Sequence, residues 1–550
     1  MAELIGLNFN VIREKIKKDL KRAIEKSLKF KIKEVHLEHP ENPKFGDYSS
    51  NFALENFKEI KKQKSEFKTP LELAQKIAEN FPQRRYLKEV KALNPGFINF
   101  HLSETFLQNQ IKEILQKKGD YGLDQKEKEK RKKIKVQVEF LSANPTGPLH
   151  VGNCRGGFAG DVLANVLLKL GYKVQREYYI NDIGAQIEKL VQSVKARYEQ
   201  LQGKKTKIPP GGYPGEYVKE IAKKMLKKKT KNFREFTLKE ILQMIKKTTE
   251  RMGIKYDCWF PESFLYQSSQ VKKALNLLKK KNLIYEKEGA VWFKATKFGD
   301  EKDRVLIKSD GQSTYILSDL AYHLNKFEKR KFDKVILFWG ADHHGYVPRF
   351  LGMIEAIGHK GKAQVKLYQL LNLVRRGRKI KMSKRKGEYV TVDDLLDEIG
   401  LDAARFHFLM HSLDTPMTLD LTKAAERSEK NPVYYVQYAH ARICSICKKA
   451  KTVSQNIDFS LLKHPAELNL IKKLIQFPEI LVDIEKSYQL QTLPAFSIKL
   501  ADLFHKFYEE CRVLSEDKKI TAARLALVKA TKIILAQTLA LMGISAPEKM

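Results

Sequence analysis

The stretch 136–160 reads VQVEFLSANPTGPLHVGNCRGGFAG, and its residue types can handle a phosphate. His150 and Asn153 lie three apart, so they share a face at the start of a helix. A Gly/Pro turn running into a helix start points free backbone N–H groups and the macrodipole at an anion. A second candidate is the cationic run 375–387, RRGRKIKMSKRKG, which taken alone is a basic surface loop or a nucleic-acid tether. A third is Tyr315 with Asp319, four apart and so pointing one way from a helix. His343 and His344 adjoin, but no carboxylate stands at the helical spacing of a zinc motif, so no metal site is assigned.

These residues need elements to hold them. Val136, Val138 and Phe140 alternate with polar residues and predict a strand. Asn144-Pro145 and Gly147-Pro148 break it, and Phe158, Val162, Val166 and Leu170 then recur every fourth residue as a helix face. A second apolar run, YKVQREYYIND, and a strand-like segment from Lys334 to Trp339 follow. Alternating strands and helices favour a parallel sheet whose ligands sit at the carboxyl ends. Asp310-Gly311 predicts a hairpin-like turn before STYILSDLAYHL. The lysine-rich stretch from about 190 to 300 reads as a helical insertion between two halves of that sheet.

Upstream, residues 1–120 predict an α+β domain. Ile12, Ile16, Leu20, Ile24 and Leu28 trace an amphipathic helix, Thr69-Pro70 starts another, and Asn94-Pro95-Gly96 turns into extended Phe97–Phe100. KEKEKRKK (126–133) reads as a solvated linker at a boundary. From Asn431 onward helical periodicity dominates, with Val433, Val436, His440, Ile443 and Cys447 on one stripe.

At 550 residues the chain exceeds one core and suggests roughly three or four domains. A net charge of +38 suits a polyanionic partner, although a lysine-heavy proteome gives the same balance. Five cysteines make no disulfide framework, and Cys444-x-x-Cys447 lacks a second pair at zinc spacing. No long apolar run follows Met1, and the apolar segment 533–544 is too short to span a bilayer. A cytoplasmic protein without a membrane role is expected.

The string around His150 resembles the His-Ile-Gly-His signature of class I aminoacyl-tRNA synthetases, and in its full length the arginyl-tRNA synthetase version. Lys381-Met382-Ser383-Lys384-Arg385 resembles the Lys-Met-Ser-Lys-Ser loop. FGDYSSNFAL, NPGFINF, GGYPGEYV, NPVYYVQYAHARI and the terminal GISAPEKM are similar to the same family. The resemblance implies an α/β class I Rossmann-like catalytic domain over 130–390 with the insertion at about 190–300. It adds an N-terminal α+β domain over 1–120, a stem-contact segment over 391–425 and an all-α anticodon-binding bundle over 426–550. Three departures stand out: Asn153 replaces the second signature histidine, His343 a glutamine that holds arginine, and Arg385 the final serine.

What the resemblance implies is an ATP-dependent arginine–tRNA ligase acting on L-arginine and tRNA(Arg) as a monomer, with tRNA often needed before activation. His150, Asn153, Lys381 and Lys384 would be catalytic, and Pro148, Gly152, Met382 and Ser383 would join them around ATP and its Mg2+. Glu139, Ser142, Asn144, Asn153, Tyr315, Asp319 and His343 would surround arginine. A carboxylate facing a guanidinium fork is a strong directional pair. Phe97 and Asn99 would meet the tRNA D-loop, and Tyr438 and Arg442 the anticodon. Two alternatives stay open: a class I synthetase for another amino acid, and a tRNA-binding paralogue without catalysis.

Overall fold

A computed structural model describes residues 11–29, 31–63, 66–380, 390–450 and 456–550. Its centre is a parallel sheet of β1 (Lys135–Glu139), β2 (Lys173–Ile180), β3 (Cys258–Pro261), β4 (Lys334–Gly340) and β5 (Ala363–Tyr368). The spatial order is β5-β4-β1-β2-β3, parallel throughout, with Val138 beside Ile336 on one side and beside Arg176 on the other. The order reverses between β1 and β4. Alternate β4 residues face opposite sides: Val335 and Leu337 enter one apolar core, Ile336 and Phe338 the other.

Helix α1 (Asn153–Leu170) crosses from β1 to β2 and ends at Gly171, whose φ of 102° is open to glycine at little cost. Gly160 lets it lie on the strand end, since a Cβ there would stand 2.2 Å from Phe140. Helix α2 (Tyr315–Leu324) follows the expected turn at Gly311 and continues into a π-helical turn, Asn325–Lys329. Helix α3 (Val347–Ala356) joins β4 to β5.

The insertion begins with helices Ala185–Leu201, Glu216–Lys228 and Phe233–Arg251 and carries a further helix, Gln270–Lys280, beyond them. It then contributes edge strand β3 and a small antiparallel sheet of Ile284–Lys287, Ala290–Phe293 and Arg304–Ile307, which corrects the all-helical reading. Four residues ending in proline fit a sheet edge but leave no alternation to read. The charge run 126–133 is not a solvated linker. Gln125–Arg131 is a helix capped by Asp124, and Arg131 is buried, donating to Glu485 at 3.0 Å.

The N-terminal domain packs three helices, Ile12–Leu28, Phe52–Gln63 and Pro70–Glu79, around a sheet of Tyr48–Ser50, Phe97–Leu102 and Leu87–Leu93. Thr69 caps the third helix, as its position before Pro70 suggests. The domain docks on the C-terminal bundle of Pro432–Lys449, Pro465–Leu474, Phe477–Ser487, Thr492–Glu510 and Lys518–Leu541. Tyr48 donates to Glu479 at 2.7 Å, His39 Nε2 lies 2.8 Å from the same carboxylate, and Arg13 donates to Asp483 at 2.9 Å. The apolar segment near the C-terminus lies in the bundle's core, and no helix among the described residues is long and apolar enough to cross a membrane.

Arg405, fully buried on Leu401–Leu409, ties these parts together. It donates to Asp161 on α1 at 2.8 Å, to the Met252 carbonyl of the insertion at 3.0 Å, and to the Met542 carbonyl at 2.9 Å. Gly543 has φ 68°, and a Cβ there would stand 2.3 Å from the guanidinium. Arg405→Met strands Asp161 with only its second partner, Arg176. A loss of about 3 kcal/mol is expected, read as a lower melting temperature and an earlier urea midpoint.

Candidate active site

The two chain halves leave β1 and β4 in opposite directions, opening a crevice at their carboxyl ends. A cavity of about 1560 Å3 fills it. Glu139, Ser142, Asn144, Pro148, His150, Gly152, Asn153, Tyr315, Asp319 and His343 all line this one cavity. The sequence nominated each of them from segments up to two hundred residues apart.

One wall is the turn between β1 and α1. Leu141 and Ser142 adopt φ of 69° and 34°, a left-handed conformation costly for side chains with a Cβ. The turn is held because Ser142 Oγ accepts from the Tyr179 backbone N–H of β2 at 3.1 Å. Asn144 donates to Gln186 at 3.0 Å. The Gly152 N–H donates to His150 Nδ1 at 3.1 Å, so a neutral His150 ring carries its proton on Nε2. Asn153 Oδ1 accepts from the His150 N–H at 3.0 Å, which makes it a cap of this turn. A Cβ at Gly152 would stand 2.9 Å from His150 Cε1, so the glycine leaves room for the ring.

Lys381, Met382, Ser383, Lys384 and Arg385 lie outside the described residues. The residues flanking them are placed. Ile380 donates to the Leu373 carbonyl at 2.9 Å. On the return side Val151 donates to the Val390 carbonyl at 3.1 Å and Val392 to Leu149 at 2.9 Å, bracketing His150.

The opposite wall is acidic. Asp319 is half-buried on α2 and accepts from the Tyr346 hydroxyl at 2.5 Å. Burial pushes its carboxyl up to about 7; Glu262 and Glu139 push the same way, against the Tyr346 bond and Lys326. Tyr315 stands exposed at the rim, 5.7 Å from the Tyr346 ring, with its hydroxyl 3.5 Å from Arg349. His343, on the turn Ala341–Tyr346, lies at the rim 5.8 Å from the Trp339 ring. Glu139 is buried and already paired: Lys326 Nζ donates to Oε2 at 2.6 Å and Tyr322 at 2.9 Å. Below it Tyr322 also donates to Glu177, which pairs with Arg330.

Away from the cavity, Asn99 is buried in the N-terminal sheet with its Oδ1 accepting from Ser49 at 2.7 Å, while Phe97 beside it stays half-exposed. Tyr438 and Arg442 lie in a groove of about 850 Å3 on the bundle, where Arg442 donates to Tyr438 at 2.7 Å and stacks over Tyr508 at 5.4 Å. Among the described residues no group of three or more His, Cys, Asp or Glu could hold a metal.

Sequence reasoning missed several residues here. Tyr217, in the GGYPGEYV stretch of the insertion, reaches the cavity and donates to the Thr146 carbonyl at 2.6 Å. Tyr346, at the end of the histidine turn, holds Asp319, and Arg349, on α3, reaches the Tyr315 hydroxyl. Arg155 is buried and donates to the carbonyls of Gln369 at 3.1 Å and Thr415 at 2.6 Å, holding the cavity's far wall against α1. Only its place in the long string could have marked it.

The chain matches three family models. They are the arginyl tRNA synthetase N terminal domain over residues 10–102, the tRNA synthetases class I (R) catalytic domain over 110–415, and the DALR anticodon binding domain over 436–550. An arginine–tRNA ligase of Bacillus licheniformis is 42% identical over 98% of this chain and 99% of its own, and that of Bacillus subtilis 41% over the same shares. The solved Thermus thermophilus arginyl-tRNA synthetase superimposes with a TM-score of 0.78 at 23% identity, over 97% of this chain and all of that one, a likeness of fold.

A carboxyl titrating near 7 binds a cation in its ionised form and must first lose a proton. A guanidinium seated on Asp319 would therefore displace that proton as it binds. Its affinity is level above pH 7 and falls about tenfold per unit below it. Calorimetry in two buffers of different ionisation enthalpy checks this: the apparent heats at pH 6 differ by close to one proton's worth.

Proposed function

The chain belongs to the class I arginyl-tRNA synthetases, and from that premise we propose how its own residues carry the reaction. It is an arginine–tRNA ligase, joining arginine to tRNA with ATP. In the first step the arginine carboxylate attacks the α-phosphate and pyrophosphate leaves. In the second, a ribose hydroxyl at the tRNA 3′ end takes the arginyl group and AMP leaves. The substrate supplies the nucleophile in each step, so the protein's task is positioning and charge stabilisation.

His150 donates through Nε2–H to the α-phosphate; the Gly152 N–H on Nδ1 supports that tautomer. Pro148, Gly152 and Asn153 form the surface against ATP, with Asn153 keeping His150 in register. Lys384, aided by Lys381 and the Met382-Ser383 backbone, stabilises the departing pyrophosphate. The pairing of Val390 and Val392 with the His150 segment supports this, because it anchors the loop's return at the phosphate end. Magnesium rides on the triphosphate as part of the substrate. Its hard oxygen donors suit that ion, and no carboxylate cluster among the described residues competes for it.

Asp319 and Tyr315 receive the guanidinium, with His343 at the rim. Ser142 and Asn144 face the amino-acid backbone. Glu139, already neutralised by Lys326, shapes the pocket more than it charges it. For tRNA, Tyr438 and Arg442 stack on and pair with the anticodon, and Phe97 stacks on an unpaired base while Asn99 braces its strand. On the same reading the enzyme works as a cytoplasmic monomer, with domains near 1–120, 130–390, 391–425 and 426–550.

The observation that carries this reading is a half-buried carboxyl, held by a tyrosine, lining the same cavity as His150. Asp319→Ala is expected to lower kcat/KM for arginine at least about 100-fold, the worth of a charge-assisted pair, with the ATP KM within about twofold. Arginine kinetics that stay normal in that variant would remove the assignment. Lys384→Ala should slow single-turnover adenylate formation about 100-fold and leave tRNA binding in gel shifts unchanged. Both are measured with and without tRNA.

A further inference from the structure

Helix α2 and the π-helical turn after it carry a descending line of polar side chains. Tyr315 is exposed at the rim, Asp319 half-buried, His323 2% exposed and Lys326 fully buried. Asp319 holds the Tyr346 hydroxyl and Lys326 holds Glu139. His323 differs. Its Nδ1 lies 2.9 Å from the Asp319 backbone carbonyl, which can only accept, so Nδ1 carries the ring proton. Nε2 is then a bare acceptor. It is buried and has no hydrogen-bond partner among the described residues, although His323 lines the cavity.

Neighbouring groups leave it that way. The Tyr322 hydroxyl donates to Glu139 and Glu177, and the Phe350 ring packed on His323 at 4.7 Å has no donor. Nor does the ring gain a second proton, because burial and then Lys326 and Arg330 hold it well below the usual histidine range. Buried polar atoms are nearly always satisfied, so one that is not marks where a donor arrives.

We propose that His323 Nε2 accepts a hydrogen bond from a guanidinium N–H of bound arginine, beside the Asp319 carboxylate, and so acts as a specificity-determining residue. This rests on the reading of Asp319 as the guanidinium's counter-ion. Four residues of helix set the two side chains about 6 Å apart along the axis and on one face. A planar fork of donors making bonds of about 2.9 Å to either side spans that gap. The second acceptor has a chemical consequence. A ureido analogue such as citrulline can turn its amide N–H toward Asp319 and its carbonyl oxygen away. With Nε2 beyond the carboxylate, that oxygen meets a lone pair, and the buried acceptor stays unpaired. A site built to receive N–H groups rejects such an analogue far more strongly than an apolar pocket does.

The test uses the full-length enzyme with tRNA and compares Asp319→Asn, His323→Asn and His323→Gln. Asparagine keeps a donor for the Asp319 carbonyl but cannot place an acceptor at Nε2; glutamine reaches that position with its amide oxygen. His323→Asn should raise the arginine KM about 10- to 100-fold, leave the ATP KM unchanged, and cut the preference for arginine over citrulline by a similar factor. His323→Gln should restore most of both. If Asp319→Asn loses arginine while His323→Asn keeps normal KM and preference, this proposal fails alone. If Asp319→Asn keeps a normal arginine KM, the reading beneath it fails. Arginine and ATP KM rising together in His323→Asn also overturns it. In wild-type enzyme labelled with 15N-histidine, a non-protonated Nε2 resonance should move upfield as arginine is added. Absence of that movement overturns the proposal whether or not the variants fold.

Discussion

The ion pair between Asp161 and Arg405 is buried from both sides. Charges out of water are held only where geometry and further hydrogen bonds compensate, and here all three nitrogens of the guanidinium donate. The pair matters because of where α1 begins. The same helix that carries Asp161 in its middle has His150 and Asn153 at its start and Arg155 in its first turn. Asp161 fixes it to the C-terminal tail and the insertion, and Arg155 fixes it to the wall formed by Gln369 and Leu370. The imidazole thus stands on an element clamped at two points by guanidinium groups whose partners come from four other segments.

Beneath the amino-acid side a second charged group is balanced within itself. Glu139 and Glu177 face Lys326 and Arg330, with the Tyr322 hydroxyl between the carboxylates. Two negative and two positive charges balance there, whereas Asp319 is held by a neutral tyrosine hydroxyl. It is ionised only reluctantly in the empty site, and a positive ligand supplies what the fold withholds. At the other end of the cavity the His150 turn presents an imidazole and backbone N–H groups instead of a carboxylate, so the two ends differ in charge.

Much of this was legible in the sequence where periodicity is strong. Val136 to Phe140 and Lys334 to Trp339 became central strands because alternation is a direct signature of a sheet. Tyr315 and Asp319, on the first half of α2, and His150, just ahead of α1, all line the cavity. Other features were hidden for physical reasons. Strand β3 is too short to show a period. Arg131, Arg155 and Arg405 look like surface charges, yet all are buried, because their partners at Glu485, Gln369 and Asp161 are brought near only by the tertiary fold. The family string carried Asn153, whose structural bond is to the backbone of His150 rather than into the cavity.

The docking of the N-terminal sheet on the bundle bears on what kind of part that domain is. Read along the chain it resembles a bolt-on module that could be trimmed away. Glu479, only 1% exposed, takes its hydrogen bonds from Tyr48 and His39, and Arg13 adds its charge nearby. Removing the first hundred residues would strip an interior carboxylate of the C-terminal bundle of its neighbours. The two ends of the chain, distant in sequence, therefore share an interior whose charge is balanced only when both are present.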